Sequence, residues 1–263
     1  MLKGQIACFF SGGWTEVGNG AMERFLEKIN ADYKYVKCFP KTIKTRNGNI
    51  ALNPSSNGIT GDALITKVKD YLIKNKELFK NYKAILIEDD LDGRFDKVSL
   101  SQVQADIQTL KDDLRTCVGL PDIPVVILYA SPEIESWFIA DWNNGFEFFV
   151  NNSRRFQDID SSIRGKFNHD FRKAVNKNLL NNNGIAIEDY AFATGAYKKL
   201  SSDLQNLINN LSIQFTSKTG QDICISYSKK EDGKEMLRNI LPSEVSKRCT
   251  KYFKMSALEL QKL

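Results

Sequence analysis

Histidine is almost missing from this chain: His169 is the single one among 263 residues. A Ser-His-Asp or Cys-His device would have to use it, and nothing in the sequence places it beside a nucleophile, so it reads as structural. Zinc catalysis draws on imidazole ligands, and the same shortage argues against it. Cysteine is sparse as well. Cys8, Cys38, Cys117, Cys224 and Cys249 form neither a CxxC pair nor a zinc knuckle. An odd number scattered over apolar segments reads as buried free thiols in a reducing cytoplasm. No apolar run approaches the roughly 18–20 residues of a membrane span. Met1-Leu2-Lys3-Gly4-Gln5 leads into a strand-like run without a cleavage site, so no signal peptide is expected. These absences point to a cytoplasmic protein with no membrane association. Internal repeats and low-complexity linkers are lacking too.

What is present is ordinary globular material, 42% hydrophobic and 26% charged. The net charge of +5 permits nucleic-acid binding without requiring it. Hydrophobic patterning alternates between strand and helix through the first half. Strands are predicted at Gln5 to Phe10, Tyr33 to Phe39, Ala84 to Ile87 and Pro124 to Tyr129. Helices are predicted at Thr15 to Ala31, Gly61 to Phe79 and Ser99 to Val118. A polar loop is predicted between Pro40 and Thr60. This order argues for an α/β protein with a mostly parallel sheet and helices on both faces. A helix entered through Pro132 follows. The rest of the chain reads as a helical C-terminal half, including helices at Tyr197 to Leu211, Gly233 to Ile240 and Pro242 to Leu263. Residues 1–142 are thus expected to form the α/β core and 143–263 a helical elaboration packed on it.

The most informative stretch is Ala84-Ile85-Leu86-Ile87-Glu88-Asp89-Asp90-Leu91-Asp92-Gly93-Arg94. An apolar strand runs directly into crowded acids, at the strand end where α/β folds place their ligands. Asp90 and Asp92 are two apart, so on an extended chain both carboxylates face one side. That arrangement suits a divalent ion with a preference for oxygen, Mg²⁺ or Mn²⁺; a solvated acidic turn is the plain alternative. Two further strand ends carry related signals. Glu133 and Glu135 follow the fourth strand, either facing the Asp90/Asp92 site or simply complementing the positive end of the next helix. Ser11-Gly12-Gly13-Trp14-Thr15-Glu16 follows the first, where Glu16 is a metal ligand, a general base or a helix cap. The glycines here resemble a phosphate loop but lack its Gly-Lys-Ser/Thr ending. Ser11-Gly12-Gly13 also resembles the loop of ATP pyrophosphatases, with Thr15-Glu16 in place of Asp-Ser. Basic pairs such as Arg172-Lys173, Lys229-Lys230 and Lys247-Arg248, some interleaved with aromatics, read either as a phosphate-tracking surface or as solvated helix faces.

A strand, a Gly-rich turn with Glu, and a later strand ending in DxD together resemble the Toprim fold of topoisomerases, primases and nucleases of the overcoming-lysogenization-defect type. SGGWTE, EDDLDGR, SPEIESWFIAD and YSKKEDGKEMLRNIL also resemble small Toprim-like proteins encoded beside ATPases in bacterial phage-defence operons. The resemblance implies a Mg²⁺- or Mn²⁺-dependent nuclease acting on DNA or RNA in anti-phage defence, with an ATPase partner. In that picture Asp90 and Asp92 ligate metal, Glu16 is ligand or general base, and Glu133 or Glu135 completes the shell or holds a second ion. The chain departs from the family pattern at one point: Ser11 or Gly12 stands where the first-strand glutamate belongs. This keeps open a non-catalytic Toprim-like partner or sensor subunit. A homo-oligomeric state is left open as well.

Overall fold

The structure, a computed structural model, describes residues 2–11, 13–44, 50–53, 58–91, 100–190, 199–220 and 225–263. Its centre is a four-stranded sheet of β1 (Gly4–Phe10), β2 (Tyr33–Phe39), β5 (Ala84–Asp90) and β6 (Val125–Ala130), in the order β2-β1-β5-β6. All three pairings are parallel. A separate antiparallel pair, β3 (Thr42–Lys44) and β4 (Ile50–Leu52), lies within the segment expected to be loop. Its strands are three residues each, too short to leave a period-2 signal.

Strands β1, β5 and β6 are apolar because both of their faces are covered, whereas the edge strand β2 alternates and carries Lys34 and Lys37. Ile6, Cys8, Phe10, Leu86, Val126 and Leu128 belong to one apolar cluster, while Ala7, Phe9, Ile85, Ile87, Val125 and Ile127 belong to another. Helices α3 (Gly61–Lys74) and α5 (Leu100–Val118) cover the second face. The first face carries α2 (Ala21–Ile29) and α6 (Glu135–Ala140), with the helices that follow: α7 (Phe146–Asn152), α8 (Ser161–Ala174), α9 (Leu200–Thr219), α10 (Lys229–Asn239), α11 (Pro242–Arg248) and α12 (Phe253–Gln261). This apolar cluster crosses residue 142 without a break. Trp137 of α6 packs between Phe25 of α2, at 5.2 Å between ring centroids, and Phe253 of α12, at 4.9 Å.

Several boundaries differ from the sequence expectation for local reasons. The helix expected at Thr15 to Ala31 is split into α1 (Trp14–Val17) and α2, because Gly20 takes a left-handed φ of 67°. The helix expected to end at Phe79 breaks at Asn75 and resumes as α4 (Lys76–Phe79). Pro132 does not open α6, which begins at Glu135. Pro242 does occupy the first turn of a helix, but that helix is the short α11 rather than one running to the end of the chain. The largest consequence concerns the acids: β5 extends through Asp90, so Glu88, Asp89 and Asp90 are strand residues and not a turn beyond it. No described helix is long and apolar enough to cross a membrane.

Candidate active site

The strand order reverses between β1 and β5, since the chain leaves β1 toward β2 on one side and returns to β5 on the other. Open α/β sheets bind ligands outside the carboxyl ends of the strands at such a switch point. The carboxyl ends of β1, β5 and β6 here carry Glu16, then Glu88 and Asp90, then Glu133 and Glu135. All five are buried.

Strand alternation sorts the acids of β5. Glu88 and Asp90 share one side, and Glu88 accepts hydrogen bonds from the Ser11 amide (3.1 Å) and the Ser11 hydroxyl (3.3 Å). Asp89 points the other way and accepts from the Gly61 amide at 3.0 Å, at the N-terminus of α3. Asp89 is thereby assigned a capping role, favoured by the helix dipole. Asp90 Oδ1 accepts from the Ile134 amide at 3.1 Å, which ties β5 to the segment after β6. Asp92 lies outside the described residues.

After β6 the two glutamates separate in role. Glu133 accepts from both the amide (2.9 Å) and the hydroxyl (3.0 Å) of Ser201, in the first turn of α9. Glu135 accepts from the Tyr227 hydroxyl at 3.1 Å through Oε1. Its Oε2 is buried and meets only the Lys229 ammonium, while Oε2 of Glu16 is buried without a hydrogen-bond donor. Gly13 leaves room for Glu16 to fold inward: a Cβ at position 13 would lie 2.3 Å from Glu16 Oε2.

Into this cluster reaches Lys229, the first residue of α10. Its Nζ lies 3.2 Å from Glu135 Oε2, 3.5 Å from Glu133 Oε1 and 3.8 Å from Asp90 Oδ2. Lys229 stands among the basic pairs of the sequence, but nothing in YSKKEDG marks it as a partner of acids about a hundred residues earlier. The only hint is physical: crowded buried carboxylates need a cation. Tyr227 was likewise illegible as a donor to Glu135. His169 lies exposed on α8 and takes no part.

The electrostatics follow from burial. Burial, with Glu16, Asp90 and Asp89 adding, pushes Glu88 well above the usual carboxylate range. Asp90 rises well above its usual value through burial and the neighbouring glutamates, against the pull of Lys229. Glu133 rises through burial and Glu135. Burial raises Glu16 to about 7, with Lys229 opposing and Glu135 contributing. For Lys229, burial acts to lower the pKa, but Glu135, Asp90, Glu133 and Glu16 outweigh it and hold the ammonium well above its ordinary value.

The position of Lys229 is set by packing as well as charge. Its carbonyl accepts from the Thr15 hydroxyl at 2.7 Å. Gly233, one turn later, lies so close to Thr15 that an added Cβ would meet its Oγ1 and Cγ2 at 2.8 Å. Gly233→Ala is expected to destabilise the fold by about 1–3 kcal/mol through overpacking, read as a lower midpoint in urea with the slope unchanged. A more stable Gly233→Ala protein would mean that α10 has slack against α1.

As a metal site the donor set is chemically apt. It consists of carboxylate oxygens, as hard divalent ions prefer, with Oε2 of Glu16 buried without a hydrogen-bond donor. Among the described residues, however, no three acidic, His or Cys side chains are arranged around one metal position. The ammonium of Lys229 occupies the space that three of the carboxylates share. No protein-family model, curated protein or solved structure matches this chain.

Proposed function

We propose that this protein is a Mg²⁺- or Mn²⁺-dependent nuclease that cleaves phosphodiester bonds of DNA or RNA. The observation carrying the proposal is the convergence of three buried carboxylates, from the ends of the adjacent strands β5 and β6, on one lysine beside the switch point of a parallel sheet. Asp90 and Glu135 each direct one oxygen into this space, Glu16 is buried and feels the charges of Lys229 and Glu135, and Asp92 follows two residues after Asp90. When bound, the metal would supply Lewis-acid stabilisation of the phosphate and lower the pKa of its water. The protein's own groups account for the rest. Glu16, raised to about 7, is matched to accepting a proton from water near neutral pH. Lys229 is positioned to neutralise charge that builds on the phosphate oxygens. Glu133, held by Ser201, and Glu88, held by Ser11, shape the acidic wall. The defence setting and the ATPase partner rest on the sequence resemblance of SGGWTE, EDDLDGR and SPEIESWFIAD.

A second reading has its own observation. Lys229 already balances part of the acidic charge, as it would in a non-catalytic Toprim-like partner or sensor subunit. Calorimetric titration with Mn²⁺ separates the two. The nuclease reading expects binding by wild type that Asp90→Asn removes, together with metal-dependent cleavage of labelled DNA, total RNA or tRNA, tested with and without an ATPase partner. Absence of Mn²⁺ binding by the wild type, with no cleavage of any substrate, would establish the lysine-balanced reading instead.

A further inference from the structure

Far along the chain from the carboxylates, an open cleft of about 490 Å³ lies between the end of α8, residues 183–187 and the end of α11. Its size falls in the range of small-ligand sites. Among the described residues Arg172, Arg248, Asn176 and Asn183 line it, and no acid does. Among the described residues neither arginine is ion-paired. Two guanidinium groups sharing one cleft without a carboxylate repel each other, which an anion between them would relieve. Burial holds Arg248 below its usual range, with Cys249 opposing and Arg172 adding to the effect.

Both arginines are positioned from the same side. Arg172 lies over the Trp142 ring at 5.9 Å from its centroid, and Arg248 Nη1 donates to the Ile139 carbonyl at 3.1 Å. One bond leaves most of the Arg248 fork available, since a guanidinium carries five N–H donors. Across the cleft the backbone reverses through Asn181, Asn182 and Asn183, with φ values of 45°, 55° and 69°. Asparagine tolerates this left-handed region better than most residues, and the turn brings the amide of Asn183 to the cleft wall. Fixed guanidinium forks flanked by neutral amides match the geometry of a phosphate group.

We infer that this cleft binds a phosphate group, gripped by Arg172 and Arg248 and flanked by Asn176 and Asn183. The inference does not depend on the carboxylate site. The phosphate has two possible sources, a free mononucleotide or the backbone of a nucleic acid, and the test distinguishes them. Inorganic phosphate, AMP and a short single-stranded oligonucleotide would be titrated calorimetrically into the full chain in EDTA, which keeps the carboxylate site out of the readout. The same titrations would be run on Arg172→Gln/Arg248→Gln. Wild type is expected to bind at least one probe, about tenfold or more tighter than the double variant. AMP binding without oligonucleotide binding identifies a nucleotide site; the reverse identifies backbone contact. Should the double variant fail to fold, Arg172→Lys serves, because Arg172 is exposed and lysine keeps the charge while losing the fork; weaker binding is expected there too. Equal binding by wild type and variants, or no binding of any probe by the wild type, overturns the inference.

Discussion

Lys229→Met is expected to destabilise the protein by about 2–4 kcal/mol at pH 8 and by much less at pH 5. Removing one partner of a buried charge group costs about 3–5 kcal/mol. The lysine side chain is 31% exposed, so water recovers part of that. The pH dependence follows from the acids. Glu16, Glu88, Asp90 and Glu133 all have folded-state pKa values above their ordinary ones. The folded state therefore binds protons more tightly than the unfolded state, and stability falls as pH rises from the ordinary glutamate value of 4.5 through about 7. Lys229 is raised in the folded state, so its own contribution is intact across this whole range and is lost only in strong alkali. With methionine at 229, Glu16, raised to about 7, is largely protonated at pH 5 and charged at pH 8, so repulsion within the cluster grows between the two. Urea midpoints at the two pH values in EDTA measure the effect. Addition of Mn²⁺ at pH 8 is expected to restore part of the loss. A penalty equal at both pH values would show that Lys229 acts through packing alone.

If the protein is the nuclease proposed above, Asp90→Asn is expected to lower metal-dependent cleavage by about 10³-fold or more, equivalent to about 4 kcal/mol of transition-state stabilisation. The fold itself is expected to hold. Asparagine keeps an oxygen for the Ile134 amide, and removing one of several repelling acids relieves the cluster. Thermal midpoints in EDTA at pH 8 should therefore stay level or rise while cleavage disappears. A fall in stability parallel to the loss of cleavage would assign Asp90 a structural role. Retention of both metal binding and cleavage would remove Asp90 from the site.

The sequence by itself determined a good deal. Short continuous apolar runs bounded by turns fit strands covered on both faces, so β1, β5 and β6 were legible from them, and β2 from its alternation, together with the covering helices. The acids at the strand ends were legible for the same reason: carboxyl ends of parallel strands are predictable places. Details set by single backbone angles or short elements were not, which is why the break at Gly20 and the β3–β4 pair escaped.

Within the acidic stretch, the identities of the residues did not reveal their duties. Asp89 differs from its neighbours only in facing α3, a consequence of strand period and of where Gly61 lies. Glu133 and Glu135 look equivalent in SPEIES, but Ser201 occupies both oxygens of the first and Tyr227 only one of the second. Lys229 was beyond the reach of any local pattern. It meets Glu135 only because α10 packs on the short α1 helix through Gly233 and Thr15, a contact between residues more than two hundred positions apart. Sequence periodicity reports which face of an element is buried; which charge is brought against which is decided by tertiary packing, and in this chain that packing turned a row of acids into a site with a cation at its centre.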